Sequence, residues 1–319
     1  MTTKPLVDPE LAALLDQLPN IELTEEIVKQ VRAMNQTQKL PNSPAFPDIE
    51  VTECFVPGPQ GAPNVRVLLY QPSAVERPKP ALLWMHGGGY VMGSPEQETL
   101  MVKQMVSAIG CVGVSVNYRL APETHHPGPI EDCYAALKWL HTHANELEVD
   151  PTRIAIAGSS AGGGLAAALA LLARDRGEIP LAFQLLIAPM LDDRTCTLAE
   201  PHPYTGEFVW TRQANRFGWT SLLGLEPGVA GISPYAAAAR AEQLEGLPPA
   251  CINVGALDLF LEEDMEYARR LTRAGVPTEL HIYPGAYHGF RMVADAQVTQ
   301  IAARDQLAAL KRALGDPKH

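Results

Sequence analysis

The chain has 319 residues, enough for one large α/β domain with an appendage or for two smaller domains. Apolar residues at 46% and charged residues at 19% exclude a disordered or fibrous protein. Lys and Arg number 25 against 36 Asp and Glu, and the resulting net charge of −11 excludes a binder of nucleic-acid backbone and disfavours an anionic membrane surface.

The first 45 residues read as two helices, at about 9–18 and 24–34, followed by a connection punctuated by Pro41, Pro44 and Pro47. The N-terminal MTTKPLVDPE lacks the apolar core of a secretory signal. Leu11, Leu14, Leu15 and Leu18 share one helical face, suited to packing on a cap rather than entering lipid. Strands are expected at 49–55, 65–70, 81–85, 112–116, 154–157, 183–187, 251–254 and 279–282, and helices at 96–108, 130–146, 161–174, 262–274 and 294–314. The short connection at 58–64 makes the first two strands an antiparallel hairpin. From Ala81 onward strands and helices alternate, which predicts an α/β fold with a mostly parallel central sheet flanked by helices. The uncharged run 154–173 is long enough to suggest a membrane span. Gly158, Gly162, Gly163 and Gly164 break it into a strand, a tight turn and a buried helix instead.

Two regions interrupt the alternation: 1–45, and 195–240 with its Phe208, Trp210, Phe217 and Trp219. Ligand sites in such sheets open at the carboxyl ends of the strands, so both regions are expected to form a helical cap there. The chain then divides into a cap segment 1–45, core 46–194, a second cap segment 195–240 and core 241–319. Cys54, Cys111, Cys133, Cys196 and Cys251 are widely spaced, with no CxxC or Cys/His ligand pattern. That argues against a structural zinc site and for a reducing, cytoplasmic setting.

Gly158-Ser159-Ser160-Ala161-Gly162 follows an apolar strand and precedes an Ala/Leu-rich helix. A G-x-S-x-G pentapeptide in that context is a nucleophile elbow: the turn leaves no room beside the serine, and Ser160 is held exposed above a helix N-terminus. His86-Gly87-Gly88-Gly89-Tyr90 ends another strand. Its glycines let backbone N–H groups converge on one point, as an oxyanion requires, and the Ala161 amide adds a donor. His86 is read as holding this loop. Nine histidines compete for the role of base. His288 lies in a loop after the last strand, whereas His281 lies within that strand and reads as structural. Asp258 sits just past a strand, and its rivals Glu262, Glu263 and Asp264 look like the acidic first turn of a helix. The order Ser160, Asp258, His288 is that of α/β-hydrolases. Arg119, Glu123 and Asp132 read as loop ties, and Asp192-Asp193 as a polar loop.

With these motifs in place, the sequence resembles the bacterial hormone-sensitive-lipase-like esterases of the α/β-hydrolase fold. The resemblance rests on His86-Gly87-Gly88-Gly89, Tyr118-Arg119-Leu120-Ala121-Pro122-Glu123, Gly158-Ser159-Ser160-Ala161-Gly162-Gly163 and His288-Gly289-Phe290, and covers Val65 to the C-terminus. It implies hydrolysis of short to medium acyl carboxylic esters by Ser160, Asp258 and His288 through an acyl-enzyme, without metal or cofactor. It also implies oxyanion amides from Gly88, Gly89 and Ala161, with Gly87 shaping the loop. Tyr90 and Ser159 are expected beside the substrate. Two positions depart from the family pattern: Ser159 stands where Asp is common, and Asp258-Leu259-Phe260 where Asp-Pro-Leu is usual. The expected partner is a small-molecule ester, with no nucleic acid and no membrane; a homodimer stays open. The same residues would serve an amidase, lactonase or carbamate hydrolase, and a ligand-binding protein on this fold would be expected to lack the base.

Overall fold

The computed structural model describes residues 2–17, 22–36, 46–73 and 78–315, so Leu18, Pro41 and Pro44 lie outside the described residues. Helices α1 (Pro9–Leu15) and α2 (Glu25–Gln36) precede a sheet of eight strands. These are β1 (Ile49–Val56), β2 (Val65–Pro72), β3 (Lys79–Met85), β4 (Val112–Asn117), β5 (Val149–Ser159), β6 (Phe183–Ile187), β7 (Ala250–Gly255) and β8 (Thr278–Tyr283). Their spatial order is β1-β2-β4-β3-β5-β6-β7-β8. The β1–β2 pair is the expected antiparallel hairpin, β2 runs antiparallel to β4, and the remaining pairs are parallel.

Helices α3 (Thr99–Ile109), α4 (Gly128–Thr142), α5 (Ala161–Arg176), α6 (Arg212–Leu223), α7 (Leu261–Arg273) and α8 (Gln297–Leu314) complete the fold. Sheet residues alternate between two cores, as a period of two demands. On β3, Leu83 and Met85 join the larger core with Leu137 of α4 and Leu169 of α5. Leu82 and Trp84 join the second, with Val106 of α3 and Leu310 of α8. Every residue of β3 is buried, which explains its apolar run from Pro80 to Met85.

Strand β3 pairs with β4 on one side and β5 on the other. The chain therefore leaves β3 toward one edge and returns past it to β5. Such a switch point opens a crevice at the strands' carboxyl ends, and the loops after β3 and β5 are those bearing Gly87–Gly89 and Ser160.

Two features of the helices differ from expectation. Helix α6 was not foreseen within the aromatic-rich segment. Its Thr211 side chain caps it by accepting from the Ala214 amide, and Gly224 ends it in the left-handed region. Helix α1 packs on core elements as well as on the 195–240 segment, whose Phe208 joins the same cluster. Leu11 is fully buried with Leu257, Tyr287, Phe290 and Ala302, the Tyr287 hydroxyl donates to Leu11 O at 3.2 Å, and the Asp8 amide donates to Gly285 O at 3.0 Å. No described helix is long and apolar enough to cross a membrane.

Candidate active site

Strand β5 runs straight into α5, and Ser160 is the single residue between them. Its backbone has φ +55° and ψ −121°, a region that costs a non-glycine residue about 1–3 kcal/mol. Three hydrogen bonds hold it there: the Ser160 amide donates to Ile187 O at 2.8 Å, and the Met190 and Gly164 amides both donate to Ser160 O at 3.0 Å. Gly162 permits the close approach of this turn to the neighbouring loop, because a Cβ there would lie 2.1 Å from Met85 O.

The residues Ser160, His288 and Asp258, separated by up to 128 positions, meet in one hydrogen-bonded chain. The Ser160 hydroxyl donates to His288 Nε2 at 3.0 Å, and His288 Nδ1–H donates to Asp258 Oδ2 at 2.8 Å, roles assigned from the hydrogen-bond pattern. Asp258 is 1% exposed, and its other oxygen accepts the Phe260 amide at 3.0 Å. The Phe260 ring meets the imidazole edge-on at 5.1 Å. Both distances in the chain lie within general-base reach.

Above this chain lies a cavity of about 290 Å³. Gly88, Gly89, Ser160 and His288 line it, together with Val31 of α2 and Trp210 from the second interrupting segment. Among the described residues, neither the Gly88 nor the Gly89 amide has a protein acceptor. Gly88 has φ +120°, a conformation that glycine adopts without strain. Ala161 is the first residue of α5, so its N–H is one of the unpaired donors of a helix start. The Gly87 amide instead points to Glu98 Oε1 at 3.5 Å. The arrangement can take a proton from Ser160 and offer N–H groups to a nascent oxyanion.

His86 does hold the loop. Its ring stacks on Tyr118 at 4.3 Å, its Nδ1 lies 2.8 Å from Gly87 O, and burial pushes its pKa down, so the neutral form prevails. His281 hydrogen-bonds Glu279, which pairs with Arg312. Cys251, Glu279 and His281 bring their ligand atoms within 4.8 Å of one another, a cluster invisible in sequence spacing because it forms across β7 and β8. It sits toward the amino ends of those strands, away from the sheet end that holds Ser160.

Four expectations need correction. Tyr90 makes no contact with the cavity: it is fully buried, its hydroxyl donates to Met190 O at 3.1 Å, and its ring packs on Trp219. Ser159 lines the cavity, but its hydroxyl is bound to Glu98 and Arg291 rather than free for substrate. Asp193 is no solvated loop residue. It is fully buried, paired with Arg240 at 2.7 Å, and accepts the Gly228 amide at 2.6 Å, which ties down the 195–240 segment. Glu263 and Asp264 are not surface charges at a helix start. Glu263 is buried and accepts the Leu191 and Asp192 amides, at 2.7 and 3.2 Å.

Asp264 is fully buried with neither oxygen hydrogen-bonded among the described residues, and burial, with Glu263 and Asp258 nearby, drives its pKa well up. Burial therefore favours its neutral carboxyl. Asp264→Asn puts a neutral amide where burial already disfavours charge, and leaves kcat within about threefold of wild type. A raised folded pKa means stability is greatest below the unfolded value and falls as pH rises. The drop in Tm between about pH 5 and about pH 8 is consequently smaller in the variant, as thermal scans at the two pH values will register.

Residues 82–292 match the family described as the alpha/beta hydrolase fold. Carboxylesterase NlhH of Mycobacterium tuberculosis is 36% identical over 318 residues, covering 98% of this chain and 97% of the relative. Esterase LipI of the same organism is 34% identical over 289 residues, covering 90% of this chain and 88% of the relative. Among solved structures, a bacterial heroin esterase superposes with a TM-score of 0.92 at 40% identity, covering 99% of this chain and 100% of the other. Esterase LipW of Mycobacterium marinum gives a TM-score of 0.86 at 34% identity, with 98% of both chains covered. Likeness of sequence and backbone over nearly the whole length, on a fold whose switch point holds an elbow serine, means that this chain belongs to the hormone-sensitive-lipase-like esterases of the α/β-hydrolase family.

Proposed function

We propose that this chain is a serine carboxylesterase acting on short to medium acyl esters. The observation that carries it is the hydrogen-bonded chain Ser160–His288–Asp258 beneath a cavity whose floor includes unpaired amides. Ser160 Oγ attacks the ester carbonyl carbon while His288 Nε2 takes its proton. The carbonyl oxygen gains a negative charge and settles among the Gly88, Gly89 and Ala161 N–H groups. Asp258 holds the imidazole tautomer and stabilises the imidazolium. His288 then gives its proton to the leaving alkoxide, which departs as the alcohol and leaves an acyl-Ser160. Water, deprotonated by the same nitrogen, attacks the acyl carbon, the bond to Ser160 Oγ breaks, His288 returns the proton to Oγ, and the carboxylic acid leaves.

The cavity supports the proposed size preference. Its volume lies at the low end for small-ligand sites, and Val31, Met92, Ile187, Trp210 and Phe290 give it largely apolar walls. The test is kcat/KM on aryl esters of about two to sixteen acyl carbons, with a matching anilide and an emulsified triglyceride alongside. The expected maximum lies at the short to medium end, with slow anilide turnover. A maximum at the long end, with a rate jump when an emulsion forms, would indicate an interface-activated lipase.

A further inference from the structure

The catalytic segments of this fold come from three separate loops, and one carboxylate touches all of them. Glu98 stands at the end of the short turn Pro95–Glu98 that leads into α3, with its side chain only 10% exposed. Glu98 Oε2 accepts the Trp84 indole N–H at 2.6 Å. Glu98 Oε1 accepts the Ser159 hydroxyl at 2.7 Å, the Gly87 amide at 3.5 Å and a guanidinium N–H of Arg291. Arg291 Nη2 also donates to Ser159 Oγ, at 3.1 Å. Gly87 opens the glycine loop, Ser159 immediately precedes Ser160, and Arg291 lies three residues after His288 in the turn Phe290–Met292.

We infer that Glu98 and Arg291 form a charged clamp, bridged by the Ser159 hydroxyl, that fixes the glycine loop, the elbow and the histidine loop relative to one another. They are positioning residues, and the proposal rests on Ser160 and His288 acting as described above. Three features support it. In the cavity wall the carboxylate accepts the Gly87 amide, whereas the neighbouring Gly88 and Gly89 amides have no protein acceptor among the described residues. The serine at 159, where the family commonly carries Asp, is a neutral bridge, so the network's one negative charge comes from Glu98 and its positive charge from Arg291. Burial alone would raise the Glu98 pKa, but the Arg291 charge and the Ser159 hydroxyl outweigh it and keep the carboxylate ionised.

The test compares Glu98→Gln, Arg291→Met, Arg291→Lys and the Glu98→Gln/Arg291→Met double variant by steady-state kinetics on a soluble aryl acetate. A displacement of about 1 Å between reacting groups costs up to about 100-fold, so Glu98→Gln and Arg291→Met each lower kcat by about 10–100-fold with KM within about threefold. Arg291→Lys keeps the charge and recovers kcat to within about threefold of wild type. Because the two residues act as one unit, the double variant is no worse than the poorer single. If Glu98→Gln fails to fold, the Arg291→Met and Arg291→Lys comparison decides, since that side chain is one-third exposed. Single variants with kcat within about twofold of wild type, or losses confined to KM, would overturn the clamp. Labelling with a fluorophosphonate, located by mass spectrometry, separates this result from the underlying reading. Absence of label on wild-type Ser160 overturns the serine mechanism. Label at Ser160 with unaltered variant kcat overturns only the clamp.

Discussion

Ser160→Ala lowers kcat for ester hydrolysis by about 10⁴–10⁶-fold while the protein stays folded. The size of the loss identifies the role. Removing a single oxyanion donor costs about 10²–10³-fold, and a group that merely positions substrate costs less. A loss of 10⁴ corresponds to about 5.5 kcal/mol of transition-state stabilisation, which only the bond-forming atom, its base or the carboxylate that sets the base's tautomer supplies here. The fold is expected to survive, because alanine bears the same penalty at φ +55° as serine does. The backbone bonds to Ile187, Met190 and Gly164 that hold the turn are untouched, and among the described residues the missing hydroxyl had one protein partner, His288. Circular dichroism and Tm check the fold, and initial rates check kcat. A variant that keeps more than about a tenth of wild-type kcat would remove Ser160 from the role of nucleophile.

The strands and the elbow were legible in the sequence for a common reason: both are local. A parallel strand buried on both faces is a largely apolar run, and β3, β6 and β7 are buried at every position. An elbow needs glycines at fixed offsets, and Gly158 and Gly162 supply them. Strand order was not legible, because periodicity carries no information about which strand pairs with which. That β4 lies between β2 and β3 emerges only from the register. Side chains acting across elements were misread for the same reason. Glu98 reads locally as one more acid at a helix start beside Glu96, and nothing in its neighbourhood signals Arg291, 193 positions away. Glu263 and Asp264 follow the pattern of an exposed acidic first turn, yet this end of α7 is packed inside the fold. Tyr90 sits beside the glycine loop in sequence, but with φ +66° its side chain lies in the core.

Asp258→Asn is expected to lower kcat by about 10⁴-fold with little change in KM, a larger loss than removing one hydrogen bond explains. The surroundings of Asp258 dictate how the asparagine sits. The Phe260 amide is a donor held 3.0 Å from Asp258 Oδ1, so the asparagine carbonyl oxygen must face it. The amide NH₂ then faces His288 Nδ1, where the wild-type carboxylate oxygen accepts at 2.8 Å. Two donors cannot face each other, so the imidazole takes the tautomer with its proton on Nε2. That proton points at Ser160 Oγ, and the lone pair that should accept the serine proton is gone. Both residues are buried, so water offers little relief. Asp264, six residues along and likewise buried, supplies the control, because its asparagine variant leaves the imidazole and its partners in place. Measured side by side, kcat should fall steeply for Asp258→Asn and hold for Asp264→Asn. The reverse ranking would transfer the orienting role to the helix.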